Sequence, residues 1–498
     1  MKNKLYFGDN LEVMREFESD SVDLIATDPP FNSGRDYNIF LADSKAQKKA
    51  FADIWTWDDA AKDQRAEIEK RAQRGGAYEA LNNALKGYDL VLQNAVSGNK
   101  AAMRAYLAFM GPRLAEIWRI LKPSGSVYLH CDPSASHYLK GIMDAVWDQG
   151  NRKKNEHFRN EIVWAYRTGG VSKAWFGRKH DIILFYTKSP KREHIFNLKK
   201  ERSYNRDFKP YKFKGVSEYQ DEEGKWYTMA ALRDVWEINA VGRSSGERLG
   251  YPTQKPIELY QRIIEVSSHE GCVVLDPFAG CGTTIDAAHA LNRRWIGIDL
   301  TILALEPMQK RLLERHGIKP HVDYQIFGYP TNLQEARKLA EHPRRKHDFA
   351  NWAVTRLGLR PTPDVGDGGF DGVASMQVWT IYEKEDAQII AEVKSGNPTL
   401  TQVRAFCHTI RKNKAKMGVF ITLGKITNGM RQEAEDMGTF EHNKQTYPRF
   451  QFWEIDEAYF DDPASIKKQI RIPEQWIIEP GRKAERHVKD TQGGLIKH

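Results

Sequence analysis

The sequence has few cysteines and no long apolar run. The four cysteines, Cys131, Cys272, Cys281 and Cys407, form no C-x-x-C pair, so neither a disulfide framework nor a structural zinc site is expected. No stretch approaches the roughly 18 consecutive apolar residues of a membrane-spanning helix. The N-terminus leads into strand-like sequence without the apolar core of a signal peptide. These absences predict a protein of the reducing cytoplasm with no membrane partner.

Length and charge restrict the possibilities further. A chain of 498 residues is expected to form two or three domains. Its net charge of +9 suits a polyanionic partner such as a nucleic acid. Many basic proteins bind none, however, so the charge alone does not decide.

Strand and helix patterns alternate over residues 1–330, which predicts an α/β domain with a parallel, doubly wound sheet. Two stretches interrupt the alternation. Residues 45–100 are predicted to be a helical insert, and residues 150–250 combine short strands with long polar connections. The remaining boundaries are a linker at 331–345, a second domain at 346–475 and a tail at 476–498.

A glycine-rich turn follows the apolar strand that ends at Leu275. Glycines there let the backbone approach a ligand closely. Asp299 ends the next strand, where doubly wound folds place an acid against ribose hydroxyls. Taken alone, the turn could also be no more than a tight strand-to-helix connection. Its candidate binding residues are Asp276, Phe278, Gly280, Gly282 and Thr283.

A second motif, Asp28-Pro29-Pro30-Phe31, also closes an apolar strand. The exocyclic amine of adenine or cytosine is a poor nucleophile, because its lone pair is delocalised into the ring. The Asp28 carboxylate and the Pro29 carbonyl can accept both N–H bonds, while the fixed φ of proline holds that carbonyl in place. Phe31 offers a face on which an extruded base can stack. Alone, the two prolines could simply end the strand.

Together, the two motifs resemble those of the beta-class amino methyltransferases of DNA restriction–modification systems. The resemblance covers residues 1–315, and the order, with the catalytic motif before the cofactor loop, defines the class. It implies a permuted, Rossmann-like methyltransferase domain that uses S-adenosyl-L-methionine, flips a base out of double-stranded DNA and often dimerises.

The resemblance also assigns further residues. It implies that Asp9, in Gly8-Asp9, reads the adenine of the cofactor. It places Gln254 and Lys255 in a cofactor-side motif, Tyr251-Pro252-Thr253-Gln254-Lys255-Pro256. It makes residues 150–250 the target-recognition region.

The methylated base and the nucleic acid are less constrained. A motif that begins with Asp favours adenine N6 over cytosine N4. Residues 191–214 interleave basic and aromatic residues, which fits phosphate and base contacts but equally fits a solvated hairpin. RNA is an alternative acceptor that the permuted order and the recognition insert disfavour.

A second acidic set occurs near the C-terminus. Glu392 and Lys394 project to one face of a strand, and Asp371 joins them if its own strand lies alongside. Asp371, Glu392 and the Val393 carbonyl can hold Mg²⁺, whose bound water becomes a nucleophile that Lys394 orients.

This set resembles the PD-(D/E)xK nucleases, and the Mrr-type restriction domain in particular, over residues 346–440. The resemblance implies an α/β restriction-endonuclease-like domain with type II-like, Mg²⁺-dependent DNA cleavage. Ala350 and Asn351 occupy the region where many relatives carry a metal-assisting Glu. A non-cleaving DNA-binding or docking module is therefore the alternative, and a plain surface ion pair between Glu392 and Lys394 is another.

Overall fold

The computed structural model describes residues 3–30, 35–40, 47–53, 55–149, 156–167, 174, 176–177, 179–242, 245–249, 253–300, 302–342, 346–362, 369–379, 384–442 and 445–473. Phe31 and the predicted tail at 476–498 lie outside these residues.

The described strands of the N-terminal part are β1 (Asn3–Phe7), β2 (Val22–Thr27), β3 (Arg35–Phe40), β4 (Gln47–Asp53), β5 (Leu121–Cys131), β6 (Phe158–Ala165), β7 (His180–Thr187), β8 (Lys200–Tyr204), β9 (Glu218–Gln220), β10 (Trp226–Ala231), β11 (Val235–Glu237), β12 (Val273–Asp276), β13 (Arg294–Asp299) and β14 (Tyr324–Phe327). The helices of this part are α1 (Asn10–Arg15), α2 (Asp59–Ala72), α3 (Ala77–Val91), α4 (Gly98–Ile120), α5 (Ser136–Asp148), α6 (Ile257–Ser267), α7 (Thr283–Ala290), α8 (Ile302–His316) and α9 (Leu333–Glu341).

A nine-stranded sheet organises this part, in the order β11-β6-β7-β5-β2-β12-β13-β1-β14. The strands from β5 to β14 are parallel to their neighbours, as the alternation predicts. The expectation of a wholly parallel sheet is wrong, because β7 runs antiparallel to both β5 and β6.

Both faces of the central strands are buried, which explains why β2 and β12 are almost continuously apolar. Leu24 packs on one face with α6, α7 and α8. Ile25 packs on the other with α3, α4 and α5. Since β2, β12, β13 and β1 are adjacent and parallel, their carboxyl ends meet at one edge of the sheet.

The two predicted interruptions are more regular than their sequences suggest. The predicted helical insert is helical in α2 and α3, whereas residues 47–53 pair with β3 in an antiparallel hairpin. In the region 150–250, β6, β7 and β11 belong to the central sheet, and β8, β10 and β9 form a separate three-stranded sheet.

A second, five-stranded sheet has the order β15-β16-β17-β18-β21. Its part of the chain contains the strands β15 (Arg360–Pro361), β16 (Gly372–Trp379), β17 (Lys384–Lys394), β18 (Met417–Thr422), β19 (Thr439–His442), β20 (Gln445–Pro448) and β21 (Phe450–Glu454) and the helices α10 (Lys346–Arg356), α11 (Leu400–Lys412), α12 (Asn428–Glu435), α13 (Glu457–Asp461) and α14 (Ile466–Gln469).

The two parts of the chain share one apolar cluster. The predicted linker contains α9, whose Ala336 and Leu339 are buried in the same cluster as Phe7 of β1 and as Phe349 and Trp352 of α10. The part of the chain that contains the second sheet therefore packs against the N-terminal part through this cluster. None of the helices in the described part of the chain has the length and hydropathy needed to cross a membrane.

Candidate active site at the edge of the central sheet

Asp28 follows β2 directly, and its two carboxylate oxygens have different surroundings. Lys255 Nζ lies 2.5 Å from Oδ2. Oδ1 is buried, and among the described residues it has no hydrogen-bond donor; His130 Nδ1 lies 3.8 Å away. One oxygen is thus anchored, and the other can accept a hydrogen bond from a ligand.

His130 stands at the carboxyl end of β5, the strand beside β2, and is 2% exposed. Its Nε2 lies 3.0 Å from Asp181 Oδ2, and the Tyr166 hydroxyl donates to Asp181 Oδ1 at 3.1 Å. Burial acts to raise the pKa of Asp181, but the hydrogen bonds from His130 and Tyr166 and the charges of His130 and Lys255 lower it overall. A buried polar network of His130, Asp181 and Tyr166 therefore lies next to Asp28.

Sequence reasoning missed this network. His130 ends a strand recognised as buried, and a polar residue at that position beside the end of β2 is the signal that was available. Asp181 and Tyr166 had no such signal, because their strands join the sheet in an order that the apolar pattern does not encode.

Asp276 begins the glycine turn and is fully enclosed. Its Oδ1 accepts from Thr27 Oγ1 at 2.8 Å and from Phe278 N at 3.0 Å, and its Oδ2 accepts from Thr284 Oγ1 at 2.6 Å. Burial raises the pKa of Asp276 to about 7, although these hydrogen bonds oppose the rise. The bond to Thr27 ties the glycine turn to the strand that carries Asp28.

The turn itself requires glycine at two positions. Gly280 and Gly282 have φ values of +50° and +79°, and a Cβ on Gly282 would lie 2.5 Å from Met308 Cγ. Gly280 N donates to Asp299 Oδ2 at 2.8 Å, which brings the predicted ribose acid to the turn. Thr283, the first residue of α7, accepts from Arg311 at 3.0 Å.

The Gly8-Asp9 turn closes the same edge. Asp9 caps α1 by accepting from Leu11 N at 2.8 Å, and its Oδ2 pairs with Arg113 at 2.7 Å. Burial lowers the pKa of Arg113, while the Asp9 carboxylate opposes that change. Asn10 Nδ2 donates to Pro277 O at 2.7 Å, so the turn and the glycine loop are joined.

The two candidate residues of the remaining cofactor-side motif, Gln254 and Lys255, have different contacts. Lys255 reaches Asp28, as described above. Gln254 is hydrogen-bonded to Glu247 O at 2.6 Å and to Leu249 N at 2.9 Å, which orders the preceding loop. The predicted cofactor contact of Gln254 stays a prediction.

The C-terminal acidic set also comes together. Asp371 N donates to Ala391 O at 2.8 Å, and its Oδ2 accepts from Val393 N at 2.6 Å. Glu392 pairs with Lys394 at 2.5 Å. Over the part of the chain that the structure describes, no group of three or more His, Cys, Asp or Glu residues is arranged to hold a metal ion. The Mg²⁺ site expected at Asp371 and Glu392, with two carboxylates and the Val393 carbonyl, is smaller than such a group and stays a prediction.

The predicted basic and aromatic residues of 191–214 lie on β8 of the three-stranded sheet and in the chain before and after that strand. Phe208 and Phe213 are exposed. Lys225 stands over the Phe208 ring at 5.1 Å and Arg202 over Tyr227 at 4.9 Å. Cations and rings thus lie close together on this small sheet and in the connections beside it.

Comparison with known families gives two matches. Residues 22–309 match the N6/N4 methyltransferase family, described as DNA methylase. Residues 346–457 match a family described as NACHT-associated inactive restriction endonuclease 1. An Mrr-type nuclease is therefore not confirmed, and an endonuclease-like domain described as inactive is what the comparison supports.

Individual relatives agree with the first match. The type II methyltransferase M.HpaI of Haemophilus parainfluenzae is 28% identical over 377 residues, which cover 73% of this chain and 95% of that protein. The type II methyltransferase M.BamHI of Bacillus amyloliquefaciens is 27% identical over 60% of this chain and 54% of its own length. The DNA adenine methyltransferase YhdJ of Escherichia coli K12 is 25% identical over 59% of this chain and 76% of its own.

Solved structures include the SAM complex of M1.HpyAVI, with 18% identity over 62% of this chain and 98% of the other and a TM-score of 0.33. The cytosine-N4-specific PvuII DNA methyltransferase has 15% identity over 64% and 88%, with a TM-score of 0.37. These scores are low, so the assignment rests on the sequence match, which spans more than half of the chain. The chain belongs to the N6/N4 DNA methylase family.

Proposed function

We propose that this chain is a site-specific DNA methyltransferase that transfers a methyl group from S-adenosyl-L-methionine to an exocyclic amino group, adenine N6, of a base flipped out of double-stranded DNA. The observation that carries the proposal is Asp28: one carboxylate oxygen is held by Lys255, and the other is buried without a donor among the described residues. The amino group of a target base can donate a hydrogen bond to that second oxygen.

The chain's own residues account for activation of the amine. Asp28 Oδ1 accepts one N–H and the Pro29 carbonyl accepts the other, which localises the nitrogen lone pair. Lys255 keeps the carboxylate in one orientation, so little rearrangement is needed when the base enters. When bound, the cofactor supplies an electrophilic methyl group on a positively charged sulfonium. Positioning and electrostatics are then sufficient without a covalent enzyme intermediate.

Three features support a cofactor site beside Asp28. The positive φ values of Gly280 and Gly282 keep side chains off the turn. Asp299 and Asp9 provide carboxylates for the hydroxyl and amine donors of an adenosyl group. The bond from Asn10 to Pro277 O holds both turns at one edge.

The three-stranded sheet, together with the connection from β8 to β9, is the proposed DNA-contacting surface. Lysine and arginine side chains suit phosphates, and exposed rings such as Phe208 and Phe213 suit stacking on bases. It lies within the predicted target-recognition region. Whether the enzyme acts as a homodimer stays a prediction that light scattering of the purified chain would test.

Adenine is favoured over cytosine because the catalytic motif begins with Asp, and one relative is named as a DNA adenine methyltransferase. Mass spectrometry of nucleosides from duplex DNA incubated with the full chain and the cofactor should detect N6-methyladenine. N4-methylcytosine alone would reject the adenine assignment, and methylation of RNA in preference to DNA would reject the substrate.

The matched variants are Asp28→Asn and Asp20→Asn. The first removes the carboxylate at the proposed centre and should abolish methylation. The second changes a surface acid that pairs with Lys188, at a positive φ that Asn tolerates, and should leave methylation intact. Unchanged methylation by Asp28→Asn would contradict the mechanism.

For the C-terminal domain we propose the non-cleaving alternative, a DNA-binding or docking module. Glu392 is engaged by Lys394, and Asp371 accepts from the Val393 amide, which fits a family described as inactive. Unmethylated plasmid incubated with the chain and Mg²⁺ or Mn²⁺ should stay intact. Metal-dependent cutting that disappears in Asp371→Ala and Lys394→Ala would instead establish the nuclease first expected from the sequence.

A further inference from the structure

Asp348 belongs to α10, the first helix of the endonuclease-like domain, yet its side chain reaches the edge of the methyltransferase sheet. It is 3% exposed, and its Oδ1 lies 3.4 Å from Asp9 N, which donates to it. A Cβ on Gly8 would lie 2.5 Å from Asp348 Oδ2. Residue 8 therefore has to be glycine for the carboxylate to occupy this position.

The turn that Asp348 contacts is the one that faces the proposed cofactor site. Gly8 N donates to Asp299 O at 3.0 Å, and the side chain of the same Asp299 accepts from the glycine loop at Gly280. Asn10 reaches Pro277 on the other side. Asp348 is thus separated from the proposed ribose acid, Asp299, by the backbone of Gly8.

Helix α10 is fixed against this edge by its apolar face. Phe349 and Trp352 are each 1% exposed and share a cluster with Phe7, the last residue of β1. Arg356, at the other end of the helix, stands over the Tyr329 ring at 5.0 Å, and Tyr329 packs edge-on against Phe7 at 6.1 Å. This packing of α10 fixes the position of the Asp348 carboxylate.

We propose that Asp348 is a positioning residue of the cofactor site, supplied by the endonuclease-like domain. It holds the Gly8-Asp9 turn at the distance from Asp299 that the adenosyl group requires. The methyl donor then binds at full affinity only while α10 is docked, so that any partner or DNA contact that shifts the second domain also changes cofactor affinity. This inference rests on the proposed function, because it presupposes that the edge binds S-adenosyl-L-methionine.

Titration calorimetry with S-adenosylhomocysteine, which binds without transferring a methyl group, tests the proposal on the full chain. Asp348→Ala removes the acceptor of Asp9 N and should raise the Kd about five-fold, which corresponds to one hydrogen bond worth about 1 kcal/mol. Asp348→Asn keeps an amide oxygen that can accept from Asp9 N and should recover most of the affinity. Asp20→Asn is the control, because it changes a surface acid that pairs with Lys188, away from α10 and the turn, and it should bind as the wild type does.

The outcomes separate the possibilities. An unchanged Kd in Asp348→Ala would overturn the inference and leave the proposed function standing. A loss in Asp348→Asn as large as that in Asp348→Ala would also overturn it, because an acceptor for Asp9 N would then not restore the affinity. Absence of binding by the wild-type chain would instead reject the proposed function itself.

Discussion

Replacing Asp276 by Asn should change how the stability of the protein depends on pH. The carboxyl group is 3% exposed, and burial raises its pKa to about 7. Asn keeps one acceptor oxygen for Thr27 and Phe278. Its amide nitrogen can donate to Thr284, whose hydroxyl already lies 3.4 Å from Ala26 O. The substitution therefore removes the titration while preserving the hydrogen-bonded shape.

The sign and size follow from proton linkage. In the unfolded chain an Asp has a pKa of about 3.9, so between roughly pH 4 and 7 the folded state holds the proton and the unfolded state does not. The stability that Asp276 contributes is full below about pH 4 and is lost as the pH rises through its folded pKa of about 7. At about 1.4 kcal/mol per pH unit, the wild type should lose about 3 kcal/mol between pH 5 and pH 8 from this group. The Asp276→Asn chain should lose none of it.

Urea unfolding followed by tryptophan fluorescence at pH 5, 6, 7 and 8 measures this difference. The free energies of unfolding of the wild type and Asp276→Asn should diverge in favour of the variant as the pH rises, and most of the divergence should be complete by pH 8. Asp20→Asn, an exposed acid, serves as the control and should run parallel to the wild type. Parallel curves for Asp276→Asn as well would refute the claim that this carboxyl group is forced to carry a buried charge.

Other substitutions test the remaining contacts. Lys255→Met should lower the single-turnover rate constant of methylation by about 10- to 100-fold, the cost of one charge-assisted hydrogen bond, with the Kd for S-adenosylhomocysteine unchanged. A change in Kd alone would place Lys255 at the cofactor. Gly282→Ala should raise that Kd in calorimetry, because its positive φ and the 2.5 Å approach to Met308 forbid a Cβ; an unchanged Kd would show that the turn does not touch the cofactor. His130→Asn should reduce kcat measured at saturating cofactor without weakening cofactor binding, and wild-type turnover would exclude it from the network behind Asp28.

The sequence predicts the local part of the site well. Asp28, Asp276 and Asp299 each follow a short apolar strand, so both the strand and the polar residue at its end are visible in a few neighbouring letters. Parallel strands then bring such ends to one edge, as observed. The proposed activation of the amine follows from the chemistry of Asp28 and the two prolines alone.

The partners of those residues could not be predicted, because they are distant in the chain. Lys255 is 227 positions from Asp28, and Asp348 is 339 positions from Asp9. Nothing in the composition of α10 distinguishes a carboxylate directed at another domain from one directed at solvent. The reversed direction of β7 was missed for a similar reason, since a run of buried apolar residues reads the same for a strand in either orientation.

The predicted linker illustrates a different limit. Its Lys and Arg residues suggest a solvated connection, and Arg337 and Lys338 are exposed. Ala336, Leu339 and Ala340, spaced three and four apart, nevertheless form a narrow buried stripe on α9. A short amphipathic helix with few apolar positions is easily read as polar chain.

The strand order of the central sheet has a consequence for synthesis on the ribosome. Strands β12 and β13 lie between β2 and β1, and the Asp23 carboxylate of β2 can accept its hydrogen bond from Val273 N only after another 250 residues have been added. At roughly 5–20 residues per second, the nascent chain exposes the inner edges of β1 and β2 for about 12 to 50 seconds before the missing strands emerge. The candidate site can therefore form only after β12 and β13 have been synthesised. A truncated translation product would carry Asp28 on an open strand edge and would lack the glycine turn proposed to bind the methyl donor.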